Sequence, residues 1–145
     1  MTKPTPALVL VPFVREKSGH ISVSASLGGK VARLIVDTGA GATCIDTEAL
    51  KRFKVGLSQK SKNGGGVGSS AMKLVHIDEH DLKIASVDLT KIKIFALDLS
   101  HVNQGLARTK VAPIDGVLGA DVLSKHRACI DYSRGLIILS TTGGQ

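Results

Sequence analysis

The sequence predicts an all-β domain with a closed, barrel-like core and one short helix near its C-terminal end. Three observations carry that expectation. Segments that alternate apolar and polar residues recur along the chain, which is the period of half-buried strands. Sixteen glycines and many β-branched residues favour short strands joined by turns over a helical bundle. Aromatics are scarce, with no Trp, one Tyr and three Phe, so the core must be aliphatic. At 145 residues the chain has the size of a single domain that can bury a core without metal or disulfide support.

The elements follow in order. Residues 1–6, with two prolines and two threonines, read as a flexible arm, and the folded domain is expected over 7–142. "ALVLVPFV" (7–14) is an edge strand, because Pro12 has no N–H to give to a ladder. "HISVSASL" (20–27) sets Ile21, Val23, Ala25 and Leu27 on one face; "GGK" turns the chain and "VARLIV" (31–36) returns it as a hairpin partner ending at Asp37. "DTEALKRF" (46–53) predicts one or two helical turns, with Asp46 as N-cap and Glu48 in the first turn. After a glycine-rich stretch (61–77), "LKIASVDL" (82–89) and "KIKIFALDL" (91–99) are two further strand segments, and 100–110 is a loop. In the tail, "VLG" (117–119) is a buried strand end and "ADVLSKHR" (120–127) the short helix. "ACIDY" and "LIIL" are strands joined by a Ser-Arg-Gly turn, and "LIILS" (136–140) is expected to be an uncovered aliphatic strand open to edge pairing.

Charge narrows the function classes. The net charge is +7, but apart from a cluster from Lys51 to Lys62 the basic residues are scattered. No run of stacking aromatics accompanies them, which argues against nucleic-acid binding and for a solvated face. Two cysteines, Cys44 and Cys129, are too few for a disulfide framework, and both are expected to be small buried hydrophobes. No signal peptide and no bilayer-length apolar run are visible, so a soluble, cytoplasmic location is the expectation. His76 and His80 in "HIDEH" are four apart on a strand pattern, where that spacing does not build a zinc face; no metal or cofactor is expected.

One stretch carries chemistry. In "LIVDTGAGATCID" (34–46) a buried strand ends in Asp37-Thr38-Gly39-Ala40. Taken alone, Asp37 is a turn former. Taken with Val117-Leu118-Gly119 and the tail "LSKHRACIDYSRGLIILSTTG", it resembles the retropepsin-like (retroviral-type) aspartic proteases, including the retropepsin domain of DNA-damage-inducible ubiquitin-shuttle proteins and single-domain bacterial relatives. The resemblance covers about residues 19–142 and implies a closed retropepsin-like barrel. It makes Asp37 the catalytic carboxylate, Thr38 the residue that bonds across the axis, and Gly39 and Ala40 the rest of the turn. Val117, Leu118 and Gly119 form the strand beneath, and Gly64, Gly65, Gly66, Val67 and Gly68 fall where the flap lies.

Peptide hydrolysis without a metal needs a base to activate water and an acid to protonate the carbonyl. Two carboxylates in contact serve as both, since like charges so close cannot both ionise. No second Asp-Thr/Ser-Gly exists: Asp46-Thr47 runs into Glu48, and Asp115-Gly116 lacks the hydroxyl residue between. The implied enzyme is therefore a two-fold homodimer acting on a peptide or protein substrate. Asp121 is expected to cap the short helix. The alternative reading is a non-catalytic dimeric module that keeps the fold to bind peptides or assemble a larger protein.

Overall fold

The computed structural model describes residues 3, 5–64 and 72–142, and pairs the two ends of the chain. Strand β1 (Leu8–Pro12) is an edge strand, as Pro12 requires, and after the short β2 (Val14–Arg15) the chain enters the main hairpin. Alternation and two glycines build it. Ile21, Val23, Ala25 and Leu27 are buried on β3 (Ile21–Leu27), Gly28 and Gly29 take the positive φ values of +59° and +73°, and β4 (Lys30–Val36) returns antiparallel from Lys30 opposite Leu27.

β5 (Cys44–Asp46) is wholly buried, and a helix follows it later than the sequence suggests. α1 (Leu50–Phe53) starts after Ala49 without a side-chain cap. Asp46 is not its N-cap: it is a buried strand residue whose carboxylate accepts the amide of Leu99 at 3.0 Å. A buried carboxylate needs such a donor more than an exposed helix needs a cap. β6 (Leu57–Gly64) and β7 (Met72–Ile77) form a hairpin from which Gly64 and Met72 are the last described pair; Gly65, Gly66, Val67 and Gly68 lie outside the described residues.

"LKIASVDL" is two short strands, β8 (Lys83–Ile84) and β9 (Val87–Asp88), folded on each other, and β10 (Ile94–Leu97) follows. Residues expected to be loop form a helix, α2 (Ser100–Ala107). Then come β11 (Gly116–Leu118), α3 (Ala120–Lys125), β12 (Cys129–Asp131) and β13 (Leu136–Ser140). The protein is mostly β with three short helices among the described residues, rather than one.

Most strands join one curled sheet in the order β6-β7-β10-β5-β11-β4-β3-β8-β9, with β2 on β3. A second sheet has the order β1-β13-β12. The terminal strand β13 is thus covered on both sides, against expectation, and the free edges are β1 and β12. The physical reason is length: five residues of β13 suffice to pair with β1 from Leu8 to Pro12 and with β12 from Cys129 to Asp131. The main core is aliphatic around Phe53, and a second cluster of Ile35, Cys44, Leu99, Leu106, Val111, Ile114 and Val117 packs α2 under the sheet.

Candidate active site

Three strands converge where Asp37 emerges. β11 lies between β4, to which it is parallel, and β5, to which it is antiparallel, so the loop 37–43 must pass over the end of β11. The Asp37 amide closes the ladder by donating to Leu118 O at 3.0 Å. Its carboxylate oxygen Oδ1 accepts the Gly39 amide at 2.9 Å, and a Cβ on Gly39 would stand 3.2 Å from that oxygen. The loop crosses so close that a Cβ on Gly119 would lie 2.8 Å from Ala40 O and from the Ala42 carbonyl carbon. Only glycine fits between β11 and the crossing chain, which is the physical content of the Leu-Gly element.

A second set of bonds fastens the loop. The Ala120 amide donates to Ala40 O at 2.7 Å. The fully buried Thr43 donates its hydroxyl to Asp121 Oδ1 at 2.7 Å and its amide to Asp121 Oδ2 at 3.0 Å, while its Oγ1 accepts the Gly119 amide at 3.0 Å. Asp121 also accepts the Val122 amide at 2.9 Å, but the N-cap position belongs to Gly119. Asp121 therefore does more than serve a helix end; it ties α3 to the loop. Neither spacing nor composition singles out Thr43, because its role depends on a residue 78 positions away.

Asp37, Thr38 and Gly39 are exposed although Ile35 and Val36 before them are buried. Two depressions flank Asp37. The larger, about 510 Å³, lies between the strand pair β4/β11 and α2, with Ile35, Val117, Val102 and Leu106 as apolar walls and His20 and His101 among its polar residues. The smaller, about 270 Å³, runs from Asp37 and Thr38 to Ile130 and Tyr132 beside β12. Among the described residues Asp37 is the only carboxylate lining either one.

The helix that forms this wall is held firmly. Asn103 takes the Ile114 amide at 2.8 Å and donates back to its carbonyl at 3.3 Å, and Asp46 holds the Leu99 amide at the helix start. Its sequence signal was the helical spacing of Leu99, Val102 and Leu106. Cys44, beneath the loop, has its thiol pushed up to about 11, chiefly by burial, with the carboxylates of Asp121, Asp46 and Asp37 adding to the rise. Cys129 departs from expectation: it is exposed on the free edge strand β12. His76 and His80 do not converge. The first faces Asp78 at 3.3 Å and the second accepts the Leu82 amide and reaches Ile92 O at 2.7 Å.

The sequence profile of the aspartyl protease family matches residues 23–122, from β3 into α3, and so takes in both Asp37-Thr38-Gly39 and Leu118-Gly119. The chain belongs to the aspartyl protease family. Its fold is retropepsin-like. This aspartyl protease is similar to a retropepsin-like aspartic protease from Rickettsia conorii, at 17% identity with a TM-score of 0.61, covering 99% of this chain and 100% of that one. It is also similar to the retroviral protease-like domain of Ddi1 from Leishmania major, at 15% identity with a TM-score of 0.56, covering 90% and 89% of the two chains. No curated protein matches the sequence. No helix among the described residues is long and apolar enough to cross a membrane.

Proposed function

We propose that this protein is an aspartic endopeptidase whose active form is a homodimer, with the catalytic dyad made of Asp37 from each of two copies. One observation carries the reading: a single exposed carboxylate, on a turn fixed by backbone bonds, lines both depressions around it. A lone aspartate lacks the acid–base pair that amide hydrolysis demands. A second copy placed against Thr38, Ile130 and Tyr132 brings its own Asp37 to the first. The free edge of β12 offers backbone groups for that contact in place of the covered β13.

In such a dimer one Asp37 keeps a proton and the other is ionised. The ionised carboxylate takes a proton from water as its oxygen attacks the scissile carbonyl, and the other carboxyl protonates the carbonyl oxygen. The resulting gem-diol collapses as the carboxyl that took the water's proton gives it to the nitrogen, a hydroxyl proton of the gem-diol passes to the other carboxylate, and the C–N bond breaks to release the amine and the new carboxyl end. Thr38 rigidifies the paired turns, and the β6–β7 hairpin closes over an extended peptide.

Activity against a peptide library, followed across protein concentration, tests this together with sedimentation. Specific activity should fall on dilution in step with the dimer fraction. Asp37→Asn should lose hydrolysis and keep the dimer, and mixed dimers with one substituted chain should be inactive as well. A fully active monomer, or an active Asp37→Asn protein, would overturn the reading. A folded dimer that binds peptides without cutting them would favour the non-catalytic alternative.

A further inference from the structure

The larger depression beside Asp37 carries a feature that peptide hydrolysis as such does not call for. Its floor and walls, Ile35, Val102, Leu106 and Val117, are aliphatic, and they accept the methylenes of a substrate side chain. Two imidazoles, His20 and His101, stand among the lining residues. They come from different elements: His20 from the turn before β3, His101 from the first turn of α2.

Both are presented on fixed backbone. Around His20 the turn is closed by Glu16 N to His20 O at 2.8 Å and Gly19 N to Glu16 O at 2.9 Å, and the imidazole Nδ1 meets Ser18 Oγ at 2.9 Å. That contact leaves Nε2 as the nitrogen not engaged with Ser18. His101 rides on α2, which Asn103 and Asp46 secure as described.

Basic and protonatable side chains predominate on the two walls. From Leu99 to Ile114 there is no acidic residue, while His101, Arg108 and Lys110 are all basic or protonatable, and Lys17 precedes Ser18 on the opposite wall. The negative groups to be weighed against these are Asp37 itself and Asp98. Asp98 is occupied: it is held below the usual carboxylate range by the Ser100 amide and hydroxyl, with His101 adding a smaller pull. Tyr132, beside His20 in the smaller depression, is covered by Arg15, whose guanidinium lies 5.2 Å from the ring centre. Glu16 is committed to Arg33 and to the Ser22 hydroxyl.

We propose that this depression is a substrate subsite that selects a side chain ending in a carboxylate, glutamate above all, with His20 and His101 as the specificity-determining residues. The proposal rests on the peptidase reading. Glutamate fits better than aspartate because its two methylenes cover the aliphatic wall while the carboxylate meets the imidazoles. A carboxylate accepts a charge-assisted hydrogen bond from a protonated imidazole, whereas a Gln amide has no charge to pair with it.

The test is a set of matched peptides with Glu, Gln or Leu at each of the four positions on either side of the cleaved bond. The readout is the ratio of kcat/KM for Glu over Gln within one protein. At one position the ratio should be roughly tenfold at pH 5.5, the size of one partly exposed charge-assisted hydrogen bond, and should fall once the imidazoles are deprotonated. In H20Q/H101Q it should be near one already at pH 5.5. A ratio near one at every position in the parent, with Leu favoured, would make the site a purely apolar pocket and overturn the proposal. A preference for Glu that survives in H20Q/H101Q would overturn the assignment to these histidines. A second measurement does not need catalysis: the imidazole resonances of His20 and His101 are titrated with pH in the presence of the Glu or the Gln peptide. Only the Glu peptide should move their titration to higher pH. If the parent cuts no peptide but this shift is seen, the peptidase reading fails and the carboxylate site stands; if neither peptide moves the titration, the site falls whatever the activity.

Discussion

Replacing Thr43 by Val keeps the shape of the side chain and removes one oxygen, so it isolates the brace under the Asp37 loop. That oxygen makes two bonds. It donates to the Asp121 carboxylate at 2.7 Å and accepts the Gly119 amide at 3.0 Å, and Thr43 is fully buried. A hydrogen bond to a charged acceptor contributes about 1.5–3 kcal/mol, and an orphaned buried N–H costs about 1–3 kcal/mol. Part of the first term is retained, because the Thr43 amide still reaches Asp121 Oδ2 and Val122 still donates to Oδ1. The expected loss is therefore about 3–4 kcal/mol, out of a total that for a domain is about 5–15 kcal/mol. The protein should fold but melt about 10–15 °C lower. The assay is urea unfolding at fixed protein concentration, since coupling to assembly would otherwise move the midpoint. The slope should not change while the midpoint falls. Thr43→Ser keeps the hydroxyl and sheds one methyl, which costs about 1 kcal/mol. A loss below about 1 kcal/mol in Thr43→Val, or equal losses in the Val and Ser variants, would refute the brace.

Further outcomes follow from single contacts. Gly119→Ala drives a Cβ to within 2.8 Å of the Ala40 and Ala42 backbone, so it should destabilise by more than about 3 kcal/mol and reduce activity even at temperatures where it remains folded, measured by urea titration beside a peptide assay. A thiol reagent at pH 7.5 should modify exposed Cys129 quickly and buried Cys44, whose thiol is pushed up to about 11, only at the rate of unfolding; mass spectrometry after timed quenching reads both sites. Labelling of Cys129 should slow as protein concentration rises if β12 joins two copies. Asp131 is drawn down to about 2, first by the Ser133 hydroxyl and then by Arg134, so its contribution to stability is present above the ordinary carboxylate range and lost as pH falls toward 2. The stability difference between parent and Asp131→Asn should accordingly be seen at pH 6 and vanish near pH 2.

Features that repeat or touch locally were legible in the residues alone. Alternation at Ile21, Val23, Ala25 and Leu27, with two glycines after it, specified the first hairpin and its buried face, because side-chain period and turn chemistry are local properties; that Lys30 pairs with Leu27 rather than turning with the glycines came from the structure. The pairing of Asp37-Thr38-Gly39 with Leu118-Gly119 specified the family, because close crossing of backbones admits few residues. Contacts between distant segments set the remainder. Asp46 followed a strand and preceded a helix, and its local pattern was that of a cap; burial beside Leu99 gave its carboxylate another donor. The segment 100–107 is polar enough to read as loop, and it is helical because Leu106 and Leu99 have a cluster to enter and Asn103 has Ile114 to clamp. β13 looked uncovered because nothing in "LIILS" tells which strands lie beside it; β1 and β12 take both its edges and leave Cys129 exposed where a buried thiol was expected. Thr43, Asp121, His20 and His101 are invisible as a group in sequence, since partners 78 or 81 positions apart are brought together only when β11 slides between β4 and β5 and α2 packs against them.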